Sequence, residues 1–314
     1  MEKCLDALSH QVVKGFEICI VDNGSTDGSD KWISENYPEV KWWSFPDNQG
    51  FSKAFNWGVN QTQGEFLISL NPDVFVEREF IQKIIIPMDE DDRVGIVSPK
   101  LLRFEDPGVI DSTGLFIDRF RRPFDRGQGE IDKGQYDQSL TIFGACGAAA
   151  LYRRAMLVDT AVNGEFFDED FFAYYEDADL AWRAQLRGWK ARYAPKAVAS
   201  HIRGWGDTLR KNKGTSQEIS GPRLALRNRW LMTLKNDSLK YFLLDLPFIL
   251  VKELSRLLYT AIFKPGAILG LKDLIIGSKK ALAKRKYILG NRVIHDSIIR
   301  TWFTSQKIKS EEYN

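Results

Sequence analysis

Short apolar runs that stop at a carboxylate or an amide, separated by helically patterned segments, set the limits on this chain's fold. Phe16-Glu17-Ile18-Cys19-Ile20-Val21 ends at Asp22, and Glu65 to Leu70 ends at Asn71-Pro72-Asp73. Helical patterning covers Ser29 to Asn36, Gly50 to Asn60 and Glu79 to Ile86, where Pro87 is expected to stop the last helix. Val40 to Phe45 and Val94 to Val97 read as further strands. Strands alternating with helices predict an α/β domain on a mostly parallel central sheet, with ligands bound beyond the C-terminal ends of strands.

Farther along, Leu102 to Ser139 is rich in Gly, Asp and Arg and reads as loops with short hairpins. Apolar, small-residue structure resumes from Thr141 to Tyr152, and a helix is expected from about Asp177 to Arg187, closed by Gly188. Lys190 to Tyr193 and Ala197 to His201 read as extended, and Arg203 to Gly221 as a mobile loop. The rest is helical. A boundary near residue 222 divides an α/β part, 1–221, from a helical part, 222–314. At 44% hydrophobic residues the chain can bury a core.

Three cysteines, Cys4, Cys19 and Cys146, are too few and too widely spaced for a disulfide framework or a cysteine metal site, which fits a reducing compartment. Met1 is followed directly by the polar-flanked Glu2 to His10, so no secretory leader is expected and the cytoplasm is the expected location.

The net charge of +2 conceals an imbalance: residues 1–202 hold 22 Lys+Arg against 33 Asp+Glu, and residues 203–314 hold 22 against 9. A basic end on an acidic body predicts an anionic partner, most simply a membrane surface. Nucleic acid is not expected, because no nucleic-acid-binding motif accompanies the charge. Leu239 to Phe263 is apolar, but Asp245, Pro247, Lys252, Glu253 and Arg256 interrupt it. An amphipathic helix lying on a membrane is therefore favoured over a spanning one, followed by the cationic cluster Lys279-Lys280 and Lys284-Arg285-Lys286. A helical bundle packed on the α/β part is the alternative.

Four places could carry chemistry, each with an ordinary structural reading beside it. Asp22 and Asn23, after a buried strand, could read a nucleotide's edge or simply make a turn. Asn71-Pro72-Asp73 could supply a carboxylate to a hard divalent cation or only end a strand. In the segment Phe171 to Arg183, Asp177 at a helix start could accept a proton from a hydroxyl or merely cap the helix. Asp179 and Arg183 are spaced as a structural ion pair. His201 ends an extended run and could be a metal ligand or an ordinary structural histidine.

In their order, Asp22-Asn23, Asn71-Pro72-Asp73, Glu176-Asp177, Gly188-Trp189 and His201 closely resemble glycosyltransferase family 2, inverting enzymes of GT-A fold, and within it the rhamnosyltransferase-like branch. The resemblance spans about residues 2–235. It implies that Asp22 and Asn23 face base and ribose, and that Asn48-Gln49-Gly50-Phe51 and Asn56 lie beside the donor. Asp73 stands for the second acid of the family's Asp-X-Asp motif, with Asn71 at the first position. It further implies Asp177 as catalytic base with Glu176 orienting the acceptor. Gly144-Ala145-Cys146-Gly147 and Trp182 would line the acceptor site, and His201 would complete the site of a divalent cation, Mg2+ or Mn2+. The implied partners are a UDP- or dTDP-linked sugar, rhamnose by branch, and a glycan or lipid-linked glycan acceptor.

Family members begin with an apolar strand ending in Thr-Tyr-Asn or similar, whereas Glu2 to Leu8 matches the helix after it. The Phe16–Val21 strand is accordingly expected to lack a neighbour. The alternative function is a non-catalytic, membrane-associated subunit or inactive copy that keeps the fold. A polyprenyl-phosphate sugar transferase, which needs no hydroxyl-activating base, is a further one.

Overall fold

The computed structural model describes residues 1–202 and 221–304. The chain opens with α1 (Glu2–Ser9), β1 (Cys19–Asp22), α2 (Ser29–Asn36), β2 (Lys41–Ser44) and α3 (Phe51–Asn60). Then come β3 (Phe66–Leu70), β4 (Val74–Val76), α4 (Phe80–Glu90), β5 (Val94–Arg103) and β6 (Ile110–Ser112). A hairpin of β7 (Leu115–Ile117) and β8 (Pro123–Asp125) is followed by β9 (Thr141–Ile142), β10 (Ala149–Arg153) and α5 (Arg154–Thr160). A 3-10 turn at Glu169–Phe171 leads to α6 (Glu176–Leu186) and β11 (Lys190–His201). The helical end holds α7 (Gly221–Asn236), α8 (Leu239–Phe263), α9 (Leu269–Gly290) and α10 (Asp296–Thr304). Of the expected loop from Arg203 to Gly221, only Gly221 lies within the described residues.

The central sheet is mixed, which corrects the expectation of a mostly parallel one. It runs β3-β10-β5-β11-β4, with β6 on β5 and β9 on β11. Only β5–β11 is parallel within it; β10 opposes both β3 and β5, and β4 opposes β11. β1 and β2 form their own parallel pair, and among the described residues β1 has a strand neighbour on that side only.

Tertiary packing overrides two local stop signals. α4 continues through Pro87 to Glu90 instead of ending before it. The missing N–H costs one helical hydrogen bond, but Ile81, Ile84 and Met88 bury their side chains on the sheet. Arg153 Nη2 also donates to the Met88 carbonyl at 2.7 Å. Likewise, β5 does not stop at Val97 but runs through Pro99 to Arg103. Its partner β11 is one strand, not two, and slips register between Ala194 and Val198 where Ala194 faces Pro99. The irregularity falls where proline cannot donate to the ladder.

The helical end is not a loosely attached tail. Leu231 and Met232 of α7, Ala281 and Ile288 of α9 and Phe303 of α10 share a core cluster with Trp182, Phe143 and Tyr152. Charge fastens the same contact. Lys284 of α9, expected in an exposed basic cluster, is buried and bonded to Asp168 at 2.6 Å, Asp170 at 2.9 Å and Glu165 at 3.1 Å. Lys235 of α7 bonds Asp168 and, at 2.9 Å, Asp179. Asp179 also holds Arg183 at 2.9 Å, as its spacing predicted. Burial alone would raise Asp168, but Lys235 and Lys284 outweigh it and hold the carboxyl well below the usual range.

α8 is turned inside out relative to an ordinary surface helix. Its acidic interruptions face protein: Asp245 is buried between Arg119 (2.7 Å) and Arg121 (2.9 Å), and Glu253 pairs with Arg229. Its apolar residues face outward, including Leu250, Leu254, Leu258, Val251 at 75% and Ile262 at 70% exposure. Among the described residues no helix is long and apolar enough to cross a membrane.

Removing one member of a buried charge cluster strands the others. Asp168→Asn is therefore expected to lower unfolding free energy by about 3 kcal/mol or more at neutral pH, measured by urea titration. Because the folded-state pKa lies below the unfolded one, this contribution is present above the ordinary carboxylate range. It is lost on acidification, so the two proteins should converge in stability at low pH.

Candidate active site

Asp177 occupies the first turn of α6, where the helix dipole favours a negative group. Its Oδ2 accepts the Gly147 N–H at 2.9 Å and its Oδ1 the Ala178 N–H at 2.7 Å. The approach is close: a Cβ on Gly147 would lie 3.3 Å from Oδ2. Glu176 beside it is buried, and its Oε2 has no hydrogen-bond partner. Burial pushes both carboxyls above their ordinary range; the Asp177 charge adds to this at Glu176, whereas the two backbone donors oppose it at Asp177. A carboxylate with a raised pKa at the rim of a helix is suited to accepting a proton.

The backbone before α6 is strained. Phe172, Tyr174 and Tyr175 all have positive φ, at 65°, 71° and 72°, conformations that side chains disfavour and that persist only when the surroundings hold them. Asn228, buried on α7, does the holding: its Nδ2 donates to the carbonyls of Phe171, Ala173 and Tyr174 at 2.8–2.9 Å. Arg227 adds bonds to the carbonyls of Asp170 and Phe171 at 2.8 and 2.9 Å.

Across the sheet, His201 Nδ1 bonds Asp111 Oδ2 at 2.8 Å, and its Nε2 lies 3.8 Å from Asp73 Oδ1. That Asp73 oxygen is buried without a hydrogen-bond partner, and burial raises the Asp73 carboxyl despite the opposing effect of His201. Two ligands each ~2.1 Å from one ion sit ~3–4 Å apart, so the pair fits a shared divalent cation, with Asp111 orienting the imidazole. No cluster of three His, Cys, Asp or Glu side chains converges on an ion among the described residues. The remaining positions of such a cation would fall to substrate oxygens and water.

The turn at 146–148 joins the two halves. Asn71 N–H donates to the Ala148 carbonyl at 2.9 Å, while Gly147 touches Asp177. On the β1 side, Asn23 Oδ1 accepts the Gln49 N–H at 2.8 Å, and Asn48 Oδ1 accepts the Gly50 N–H at 3.0 Å. Gly50 (φ +86°) lets this loop reach the loop before α6, since a Cβ there would fall 2.6 Å from the Phe172 carbonyl oxygen. Asp22 performs the ordinary turn role, accepting the Ser25 N–H at 3.2 Å and the Ser44 hydroxyl at 2.9 Å. Asn56 clamps Phe167, donating to its carbonyl at 2.8 Å and accepting from its N–H at 2.9 Å.

The family profile described as "Glycosyl transferase family 2" matches residues 1–160, half of the chain. The chain belongs to glycosyl transferase family 2. This glycosyl transferase is 27% identical over 219 residues to the N-acetylglucosaminyl-diphospho-decaprenol L-rhamnosyltransferase of Mycobacterium tuberculosis, covering 64% of the chain and 71% of that protein. It is 23% identical over 210 residues to the poly-β-1,6-N-acetyl-D-glucosamine synthase of Staphylococcus aureus, covering 62% of the chain and 45% of the synthase. By fold it is similar to S. aureus TarS 1-349 in complex with UDP-GlcNAc, at TM-score 0.56 and 19% identity over 97% of the chain and 89% of that one. It also resembles GalNAc-T7 solved with UDP, GalNAc and Mn2+, at TM-score 0.53 and 15% identity over 72% of the chain but only 42% of that one. The fold is GT-A.

Most of the expected site residues of this glycosyl transferase fall around these connected loops; Trp182 does not. It is fully buried, edge-on to Phe143 and Phe303, because its position on α6 faces the α10 side of the core. Gly144 and Ala145 are also packing residues: a Cβ on Gly144 would meet the Ala181 Cβ at 2.4 Å, and Ala145 is buried. Within that stretch Gly147 is the residue that touches Asp177. Sequence reasoning missed Asp111 and Asn228. Asp111 sits in a segment read as loop; an amide between Arg227 and Arg229 inside a helix was the only available signal for Asn228.

Asn228→Leu keeps the volume but removes the side-chain donor from the carbonyls of Ala173 and Tyr174, while Arg227 still reaches that of Phe171. It is expected to lower stability by roughly 2–3 kcal/mol and to speed amide exchange across residues 172–177 more than elsewhere. Uniform acceleration throughout the chain would contradict a role local to that loop.

Proposed function

We propose that this glycosyl transferase is an inverting enzyme that moves a sugar, rhamnose by branch, from a UDP- or dTDP-linked donor to a hydroxyl of a glycan or lipid-linked glycan in cell-surface polysaccharide synthesis. The observation that carries the reading is Asp177, fixed by two backbone N–H groups at a helix start and tied through the 146–148 turn to the Asn71–Asp73 corner. The names of the rhamnosyltransferase and the poly-N-acetylglucosamine synthase relatives support the substrate class.

In this mechanism Asp177 takes the acceptor hydroxyl proton as that oxygen attacks the anomeric carbon in a single in-line displacement, inverting configuration. Glu176 orients the acceptor. Asp22, Asn23, Asn48, Gly50 and Asn71 line the nucleotide side, and of the 144–147 stretch Cys146 and Gly147 back the acceptor. Asp73 and His201 are the residues that would hold Mg2+ or Mn2+, which when bound neutralises charge on a departing diphosphate. The enzyme works at the inner face of the cell membrane, lying on it through α8. The outward row of Val251, Leu254, Leu258 and Ile262 supports this attachment.

Calorimetric titration with UDP and with dTDP, each with and without Mn2+, is expected to show metal-dependent binding of one nucleotide. Asp177→Asn should keep that binding and lose transfer by about 100-fold or more, the scale of a general base. Since the Asp177 pKa is raised and the ionised form is the base, wild-type kcat/KM should climb with pH through a midpoint above the ordinary carboxylate range. Transfer unchanged in Asp177→Asn would remove the proposed base and favour a phosphate acceptor, whereas absence of transfer by the wild type as well would favour a non-catalytic role.

The membrane reading has its own check. The full chain should sediment with phosphatidylglycerol vesicles, and Val251→Glu/Ile262→Glu should stay in the supernatant. Equal sedimentation of both proteins would refute attachment through α8.

A further inference from the structure

Between α7 and α8 lies a cavity of about 640 Å³, a volume in the range of small-molecule sites. Four cations line it, Arg122, Lys252, Arg256 and Lys264, against one carboxylate, Glu253. Glu253 is already engaged, with Oε2 bonded to Arg229. None of the four cations makes an ion pair among the described residues. Nearby, by contrast, Asp245 alone takes Arg119, Arg121 and Arg300. Arg256 is half-buried, and its Nη1, shielded from water, has no hydrogen-bond partner. A guanidinium N–H in that state is costly until an acceptor reaches it. The cavity is thus built for an anion.

The spacing of residues on α8 narrows the kind of anion. Val251, Leu254, Leu258 and Ile262 recur every three or four residues and form one exposed apolar stripe. Lys252, Ser255 and Tyr259 each follow a member of that stripe in sequence, and all three line the cavity and are exposed. One residue's step turns the helix by roughly 100°, so the cavity wall adjoins the apolar stripe, with Arg256 a further step inward. A ligand with an anionic head and hydrocarbon chains covers both surfaces at once. An inorganic anion or an acidic peptide would leave the stripe bare.

We propose that this cavity binds the headgroup of an anionic membrane phospholipid. Arg256 donates to the phosphate oxygens, Lys252, Lys264 and Arg122 complete the neutralisation, and the acyl chains lie along Val251, Leu254 and Leu258. A planar guanidinium suits phosphate through paired N–H bonds. The inference rests on the membrane reading above and deepens it: attachment is selective for a headgroup held in a defined site, in addition to the burial of an apolar stripe. The lipid is neither donor nor acceptor of the sugar.

The test titrates the full chain with dihexanoyl phosphatidylglycerol, kept monomeric below its micellar concentration. Saturable binding is expected, weakened at least about tenfold in Arg256→Gln and in Lys252→Gln, as for loss of a charge-assisted hydrogen bond. Lys252 is exposed, so its substitution reads the site even if Arg256→Gln disturbs packing. Lys286→Gln, which removes an exposed charge of α9 outside the cavity, should bind as the wild type does. Absence of binding, or equal weakening in Lys286→Gln, overturns the assignment. So does equal affinity for dihexanoyl phosphatidylcholine, which would leave only the apolar stripe, or for glycerol 3-phosphate, which would make the ligand a free phosphate. The probe forms no bilayer, so the outcome is separate from vesicle sedimentation. A chain that binds the monomer but does not sediment loses the membrane reading and keeps the site; one that sediments but ignores the monomer loses the site alone.

Discussion

Asp168 accepts from Lys235 of α7 and Lys284 of α9 in a buried position, and much of the molecule's arrangement depends on that junction. Two helices far apart in sequence are drawn onto the 3-10 turn that leads to Glu176 and Asp177, and Asp179 extends the junction into α6 through Lys235 and Arg183. Buried charges need to be paired and fully bonded, so the contact has one acceptable geometry. That requirement places Asn228 where it can hold the strained carbonyls of Phe171, Ala173 and Tyr174. The helical end thus braces the segment before α6.

The site itself is assembled by close backbone approaches. Gly24 sits where a Cβ would be 2.7 Å from the Asp47 backbone, and Gly50 where one would reach the Phe172 carbonyl. These contacts stitch the turn after β1 to the 47–50 loop, and that loop to the segment before α6. On the other side, the 146–148 turn bonds both Asn71 and Asp177. Strain at Phe172, Tyr174 and Tyr175 is stored between the two seams.

α8 joins the site to its surroundings. Ion pairs through Asp245 and Glu253 anchor its inner face, so its apolar residues point outward and the cavity beside Tyr174 stays rich in cations. One helix thereby presents an apolar surface beside a cation-rich wall.

Local patterns determined a good part of this by themselves. The strands ending at Asp22 and Leu70, the helices over Ser29–Asn36 and Gly50–Asn60, and the Asp179–Arg183 spacing were legible because each follows from periodicity within a few residues. The order of Asp73, Asp177 and His201 was legible too, and it pointed to the family. The sequence could not show that α4 and β5 pass through Pro87 and Pro99, because long-range burial outweighs a single missing donor. Nor could it show the antiparallel insertion of β10, the burial of Trp182 and Lys284, or Asn228 reaching three carbonyls. Each of these depends on which distant surfaces meet, and a buried charge or amide finds its role only when its partners are brought to it.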